Sequence, residues 1–355
     1  MNAAIISMGS ISSKWTAEAM KKYFDEVDLL DIRDLEVSLG GRKAEILYQE
    51  EPMKHYDCIY AKGSSRYANL LRTITSLFVS KCYMPVAEEA FVAGHDKLLT
   101  HIKLQKYNVP MPETRVATTA ESAKKLLKKM TYPVVIKMPS GTHGKGVMIA
   151  DSRSSASSMI DALALLKQPF LLQEFIDTGG TDVRAFVVGE KVVASMKRSA
   201  VKGEARSNIH AGGKGTAVIL DRKIQKTAIE AAKAMGVDIC GVDILESARG
   251  PLVLEVNVSP GMQGLVKATG VDVAGEIAKF LYEKTKQHMS VTTNEKAKKE
   301  IKERIAIPSQ EILTKIDFRG DRILLPEFVT KLTKFKEDQE IIIKADKGKL
   351  EINEQ

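Results

Sequence analysis

The sequence predicts an α/β chain, more nearly α+β through its middle: a small parallel α/β region in front, a larger mixed region behind it, and a short β-rich tail. Three observations carry this. Residues 1–90 alternate short apolar runs with helical stretches, the pattern of a small parallel sheet. Residues 91–288 hold closely spaced β stretches interleaved with amphipathic helices. Residues 311–355 return to strand-like alternation after a polar, charged stretch.

The elements follow in order. "AAIISM" reads as a strand, "SKWTAEAMKKYF" as a helix, "VDLLDI" and "DCIYAK" as strands, and "YANLLRTITSLFVSK" as a helix with an apolar stripe. "DKLLTHIKLQKY" is a helix ended by "NVPMP", and "AESAKKLLKKM" is another. "YPVVIKMPSGTHGKGVMIA" reads as strand, Gly-rich turn and strand. Three β stretches follow, "PFLLQEFI", "DVRAFVVG" and "KVVASMKRS". "RKIQKTAIEAAKAMG" is an amphipathic helix capped by Gly236. "CGVDILES" and "PLVLEVNVSPG" are strands around the turn "ARG", and "VAGEIAKFLYEKTKQH" is a closing helix. Residues 289–310 read as a linker, partly helical.

Composition bounds the function. The 355 residues suffice for two or three modules, and 44% hydrophobic with 28% charged residues is an ordinary globular balance. No apolar run is long enough to span a bilayer, so no membrane partner is expected. "MNAAIISMGS" lacks a charged n-region and a long apolar core; a first strand ending at Gly9 is expected there, not a signal peptide. Cys58, Cys82 and Cys240 are scattered without CxxC spacing, which fits a reducing, cytoplasmic setting and offers neither a disulfide framework nor a zinc site. The formal charge is +8; residues 291–355 hold 14 Lys and Arg against 13 Asp and Glu, which leaves +7 on residues 1–290. A basic body suits nucleic acid, a groove that attracts acidic substrates, or a merely solvated lysine-rich surface.

Several side chains are out of place for pure packing. In "PLVLEVNVSPG", Glu255 and Asn257 project from one face of an apolar strand. If the two strands form a hairpin around "ARG", Asp243 lies across from them, and two carboxylates with an amide oxygen suit Mg²⁺. Spacing alone leaves open that Glu255 faces solvent on an edge strand and Asp243 caps a turn. "PSGTHGKGV" has Gly141, Gly144 and Gly146 after a strand. Such a loop can fold its backbone N–H groups over phosphates or be an ordinary hairpin turn; Val147 stands where a P-loop needs Ser or Thr. Lys137 ends an apolar strand beside it and calls for an anionic partner. Lys97 could reach phosphate or face water, and Glu174 could bond a nucleotide or sit half-exposed. Arg184, Arg198 and Arg206 hint at an acidic substrate, with surface salt bridges as the alternative. His143 and His210 are isolated, and no Ser/His/Asp or Cys/His nucleophile system is visible.

Together these stretches resemble the ATP-grasp ligases, and within them the RimK-type α-L-glutamate ligases, over roughly residues 1–287. The carriers are "DKLLTHIKLQKYNVPMPET", "YPVVIKMPSGTHGKGV", "LLQEFIDTGGTDVRAFVVGEKVVASMKRSA", "RSNIHAGGKG", "GVDILES", "PLVLEVNVSPGMQG" and "TGVDVAGEI". The resemblance implies an ATP-grasp domain at 91–288 preceded by a small α/β domain at 1–90. It implies that Lys97 and Lys137 contact phosphate and that Gly141, Gly144 and Gly146 form a lid. Glu174 and Phe175 would lie on the adenine side, Asp182 at the ribose, and Arg206, Ser207 and Asn208 in the nucleotide and substrate wall. Asp243, Glu255 and Asn257 would bind Mg²⁺, as two ions, with Mn²⁺ able to substitute. Arg184 and Arg198 would meet the substrate carboxylate and the charge of the transition state. The implied reaction consumes ATP to join L-glutamate to an acidic acceptor through an acyl phosphate. That acceptor is a protein C-terminus such as that of ribosomal protein S6, an amino-group carrier protein, or a small deazaflavin or pterin cofactor.

"ILTKIDFRGDRILLPEFVTKLTKFKEDQEIIIKADKGKLEI" resembles an AbrB-like swapped-hairpin domain at 311–355. This resemblance implies a homo-oligomer, dimer or tetramer. It also opens a rival reading, a DNA-binding regulator with an ATP-grasp body; the tail's near-neutral balance argues against nucleic acid as a partner.

Overall fold

The run "NAAIIS" forms strand β1 (Asn2–Ser7), apolar along its length because both its faces are covered; Ala3 to Ile6 are fully buried. Helix α1 (Ile11–Met20) starts at Ser10, whose Oγ accepts from the Ser13 N–H. β2 (Glu26–Asp31) pairs parallel to β1. A small antiparallel sheet intervenes, made of β3 (Leu35–Ser38), β4 (Glu45–Tyr48) and β5 (Glu51–Pro52). β6 (Cys58–Ala61) then pairs parallel on the other side of β1, so the order is β2-β1-β6. Helices α2 (Ala68–Phe78) and α3 (Glu88–Ala93) follow, with Leu71, Ile74, Ala90 and Phe91 buried.

This computed structural model describes residues 1–40, 44–79, 81–138, 146–165, 170–199, 214–305, 317–333, 336, 339–347 and 349–354. They divide into two compact units, Met1–Glu295 and Lys296–Gln355.

The first unit contains two further sheets. After α4 (Lys97–Lys106) come β7 (Thr114–Ala117), α5 (Ala120–Leu127), β8 (Val134–Lys137), β9 (Val147–Ala150), α6 (Arg153–Ala164) and β10 (Phe170–Glu174). Their strands form an antiparallel sheet of order β7-β10-β8-β9 with its own core, in which Ile136 and Leu172 meet Ala123, Leu127, Ala156 and Ile160. Helix α6 is not evident from "RSSASSMIDALA", whose serines read as loop. Ser152 caps it through the Ser155 N–H, and Ala156, Ile160 and Leu163 supply a buried stripe at helical spacing.

The larger sheet is built from β11 (Thr181–Val188), β12 (Lys191–Ser199), β13 (Lys214–Ala217), then α7 (Arg222–Met235), β14 (Ile239–Ser247) and β15 (Gly250–Asn257). It is antiparallel throughout, in the order β13-β12-β11-β14-β15, and shares one core with the parallel sheet. α7 buries Ile224, Ala228, Ala231 and Met235 and ends at Gly236 in the left-handed region, φ 71°. α8 (Gln263–Thr269) and α9 (Val273–Ile305) follow. Val273, Ile277, Leu281 and Thr285 bury one stripe of α9. The helix then runs on through 290–305, where a partly helical linker is expected. That stretch is rich in Lys and Glu and meets no Gly or Pro before Pro308.

The second unit holds two separate hairpins, β16 (Asp317–Arg319) with β17 (Arg322–Leu324), and β18 (Ile341–Asp346) with β19 (Lys349–Glu354), either side of α10 (Glu327–Thr333). Phe318, Ile323, Ile342, Ile343 and Leu350 are all exposed. No helix among the described residues is long and apolar enough to cross a membrane.

Gly189 turns the β11–β12 hairpin at φ +60°, and its N–H donates to the Asp238 carbonyl at 2.7 Å. A Cβ there would stand 2.4 Å from a ring carbon of Phe280 on α9. Gly189→Ala is therefore expected to lower unfolding stability by about 2–3 kcal/mol, from overpacking and a strained φ together, as read from chemical denaturation.

Candidate active site

Four charged side chains line one face of the large sheet. Asp182 and Arg184 are two apart on β11 and share that face. Arg198 on β12 is the cross-strand partner of Asp182, and Asp243 on β14 is the partner of Arg184. Arg184 donates Nε and Nη2 to the two Asp243 oxygens, both at 2.7 Å. Arg198 donates the same fork to Asp182 at 2.6 Å, and its Nη2 lies 2.8 Å from Asp243 Oδ2. Asp182, Arg198 and Asp243 are each only 6% exposed. Burial pushes the Asp243 carboxyl upward, but the Arg184 and Arg198 guanidiniums overcome it and hold it below the usual range.

Asp243 also faces Glu255 across the β14–β15 ladder, with a bulge between Asp243 and Ile244; Asn257 is paired with Gly241 two residues on. The hairpin around "ARG" thus brings Asp243 and Glu255 together as the spacing suggests. Asn257 Oδ1 accepts from the Ser259 N–H at 3.0 Å. The Glu255 carboxylate has no hydrogen bond or ion pair among the described residues. It opens to solvent, yet protein crowds it on every side. That crowding, and then the Asp243 carboxylate, raise its pKa, while Lys97, Arg184 and Lys137 pull it back.

Lys97 opens α4 behind the cap Asp96, whose Oδ1 accepts from the N–H groups of Leu98 and Leu99. Lys137 ends β8, and its Nζ donates to Gln173 Oε1 at 2.6 Å; Gln173 in turn donates to Thr114 Oγ1. Burial pushes Lys137 down to about 8, with Lys97 adding to the fall and Glu255 opposing it. Burial also lowers Lys97, again against Glu255. Two lysines from different elements therefore converge electrostatically on one acid.

Glu174, at the end of β10, accepts from the Glu113 N–H at 2.7 Å and pairs with Arg249; Phe175 follows it, half-buried. The Gly146 carbonyl accepts from the Met138 N–H at 3.2 Å, and Gly146 has φ +75°. Gly141 and Gly144, the remainder of the expected lid, and Arg206, Ser207 and Asn208 lie outside the described residues, as do His143 and His210.

Comparison with known proteins decides the family. A model of the RimK-like ATP-grasp domain matches residues 94–281. A protein named "Probable alpha-L-glutamate ligase" from Vibrio cholerae serotype O1 is 40% identical over 273 residues, 76% of this chain and 91% of that protein. The chain belongs to the RimK-like ATP-grasp family. A like-named protein of Pseudoalteromonas translucida is 38% identical over 288 residues, covering 80% of this chain and 95% of its own. Among solved structures, a RimK domain ATP-grasp protein from Sphaerobacter thermophilus superposes with a TM-score of 0.61 at 21% identity, over 79% of this chain and 99% of that one. The ATP-grasp ligase PsnB, solved with a minimal precursor, Mg and ADP, also gives 0.61 at 19% identity, over 80% of this chain and 98% of its own. The α/β ATP-grasp fold expected from the sequence is thus the fold observed, and the chain is a ligase.

In this RimK-like chain, sequence reasoning passed over His101, Gln173, Arg249 and Lys62. Gln173 could be suspected as a polar residue inside "FLLQEF"; the others carry no local signal. His101 lies one turn beyond Lys97, is 6% exposed, and its Nδ1 is buried without a hydrogen-bond partner among the described residues. Burial first, then the Lys137 and Lys97 charges, push it down to about 4 from 6.5. Between these values the unfolded chain binds a proton that the folded chain refuses. Stability is therefore present above pH 6.5 and lost as pH falls towards 4. On moving from pH 7.5 to pH 5, His101→Gln is expected to lose about 2 kcal/mol less than the wild type, measured by urea denaturation at the two pH values.

Proposed function

We propose that the chain is an ADP-forming ligase that adds L-glutamate to an acidic acceptor through an acyl phosphate. The observation that carries this reading is Glu255: a carboxylate without a hydrogen-bond partner among the described residues, beside Asp243 and facing Lys97 and Lys137. Asp243, Glu255 and Asn257 supply hard oxygen donors suited to Mg²⁺, as one ion or two, with Mn²⁺ as a substitute. A dication there would relieve the repulsion between the two acids and neutralise phosphate charge.

The acceptor carboxylate attacks the γ-phosphorus of ATP, and ADP leaves. The glutamate amine then attacks the acyl carbon, phosphate departs, and the amine gives up a proton. Lys97 and Lys137 hold phosphate oxygens, and Arg184 and Arg198 sit within one strand of the acids to meet substrate charge. No protein nucleophile takes part. Glu174 and Phe175 serve the adenine side and Asp182 the ribose, with Gly141, Gly144, Gly146, Arg206, Ser207 and Asn208 as lid and wall. The acceptor we favour is a protein C-terminus such as that of ribosomal protein S6; a deazaflavin or pterin cofactor or an amino-group carrier protein fits the same chemistry. The buried thiols of Cys58, Cys82 and Cys240 suit a reducing cytoplasm.

Glu255→Gln is expected to reduce ADP release in the presence of L-glutamate and acceptor by at least about 100-fold, while circular dichroism and the unfolding midpoint stay near wild type. Turnover within a few-fold of wild type would remove Glu255 from the reaction.

For residues 296–355 we propose an assembly role. Two hairpins of this size bury no apolar core among their described residues, and Phe318, Ile323, Ile342, Ile343 and Leu350 are exposed. A second copy, interleaving its hairpins in the AbrB-like manner, would complete the core as a dimer or tetramer. The near-neutral charge of this segment lets like copies approach and disfavours DNA. A chain ending at Glu295 is expected to retain ATP-dependent ligation and to scatter light as a smaller assembly than the full chain; an unchanged subunit count would refute the assembly role.

A further inference from the structure

Lys62 follows β6 at its C-terminal end, and its side chain is buried, 6% exposed. Its Nζ donates to the Pro260 carbonyl at 3.1 Å and lies 5.4 Å from the centre of the Tyr60 ring. Neither partner is an anion. Burial alone pushes the ammonium down to about 8; no acid among the described residues pulls it back. The other buried cations of this unit are treated differently. Arg184 and Arg198 are forked onto carboxylates, and Lys137 feels Glu255. An ammonium has three donors, and Lys62 directs one of them at a neutral carbonyl.

Its surroundings join two parts of the fold. The Lys62 N–H donates to the Ile6 carbonyl at the end of β1, and the Gly63 N–H to Ser259 Oγ at 3.1 Å. The Met262 N–H donates to Ser12 Oγ, in the first turn of α1, at 3.0 Å. Residues 259–262 continue directly from β15, which carries Glu255 and Asn257. His95, which the Gly63 backbone hydrogen-bonds, has its Nε2 buried and without a partner among the described residues. Lys62 therefore stands at the carboxyl edge of the parallel sheet, where β2 and β6 diverge to either side of β1, and the acid-bearing strand arrives there. In open α/β sheets this edge is the crevice that receives ligands.

A strut to Pro260 needs only a neutral donor; a glutamine would serve. Holding a full charge in that place is unfavourable unless an anion joins it. We propose that Lys62 recognises a carboxylate of the acidic acceptor, its remaining N–H donors closing on that group at the carboxyl edge of the β2-β1-β6 sheet. The proposal rests on the ligase reading above and adds a lysine for the acceptor to the two proposed for phosphate. Lys62 is a binding residue here and takes no part in bond making.

The test is calorimetry on the full chain with L-glutamyl-L-glutamate as the carboxylate probe and with ATP and Mg²⁺ as an internal control, for wild type, Lys62→Gln and Lys62→Arg. Lys62→Gln is expected to weaken dipeptide binding by at least about tenfold, the loss of one charge-assisted contact. Lys62→Arg should keep it within a few-fold, and both should bind ATP as the wild type does. Thermal unfolding without ligand gives a second reading: Lys62→Met should melt higher than wild type, because a buried charge without a counter-ion is removed. Wild-type dipeptide affinity in Lys62→Gln, or a Lys62→Met chain that melts lower, would overturn the proposal by making Lys62 a strut. A wild-type chain that binds ATP but not the dipeptide overturns the carboxylate site alone. One that binds no ATP overturns the ligase reading and the site with it.

Discussion

The ion-pair chain Asp182–Arg198–Asp243–Arg184 is the constraint on which the site depends. Three of its members are nearly excluded from solvent, and in such surroundings a charge is tolerated only with its partner in place. Each guanidinium is forked onto a carboxylate, which fixes the guanidinium plane and rotamer as well as charge. Removing one member leaves an uncompensated ion in the centre of a five-stranded sheet, a defect worth about 3–5 kcal/mol. Because Asp243 gives both oxygens to arginines, Glu255, its cross-strand partner, makes no hydrogen bond to either guanidinium and feels Arg184 only through space. The consequence is a carboxylate left to the lysines opposite, which is the electrostatic arrangement a metal–phosphate complex would use.

Those lysines come from elsewhere in the fold. Lys137 ends a strand whose apolar neighbours belong to the smaller, separate core, and Lys97 begins a helix that packs with the larger one. Their meeting at Glu255 therefore reports tertiary placement, not local sequence. The cation pair is also self-repelling: Lys97 lowers the proton affinity of Lys137, and both add to the burial that keeps His101 neutral beside them. An anionic ligand would relieve this repulsion, which is what recommends the place for the phosphate role proposed above.

How far the sequence disclosed this varies with the physical origin of each feature. The β14–β15 hairpin was legible, because Glu255 and Asn257 break an apolar alternation and the short turn "ARG" fixes their register against Asp243. The helices α4, α5 and α7 were legible from periodicity and caps. Helix α6 was not, since its serines mask a stripe of only three buried residues. Strands β3, β4, β5, β7 and β13 span four residues or fewer and, β4 apart, lack the continuous apolar run that announces the equally short β6, β8 and β9. The arginines were read as candidates for substrate; that each is already matched by an acid from a neighbouring strand depends on a sheet order, β12-β11-β14, in which only β11 and β12 are neighbours in sequence. Lys62 gave no signal, for burial of a strand-terminal lysine is decided by the 259–262 segment, nearly 200 residues on.

The distribution of charge then acquires a meaning that the net figure lacks. A formal +7 over residues 1–290 is compatible with a solvated surface, and most of its lysines are exposed. Lys62 is buried and Lys97 and Lys137 are partly so, and all three have their proton affinity lowered by burial. Surface charge is screened within about 10 Å at ordinary ionic strength, whereas buried charge is screened much less, so these few residues weigh more in the proposed binding than the many outside. Two of them oppose an acid that can share phosphate through a metal. The third faces a neutral carbonyl and no acid among the described residues. If the chain holds a polyphosphate and a second anion at once, as we propose, it needs two such places: the Lys97–Lys137 pair facing Glu255 supplies one, and Lys62, bonded to the Pro260 carbonyl beyond β15, supplies the other.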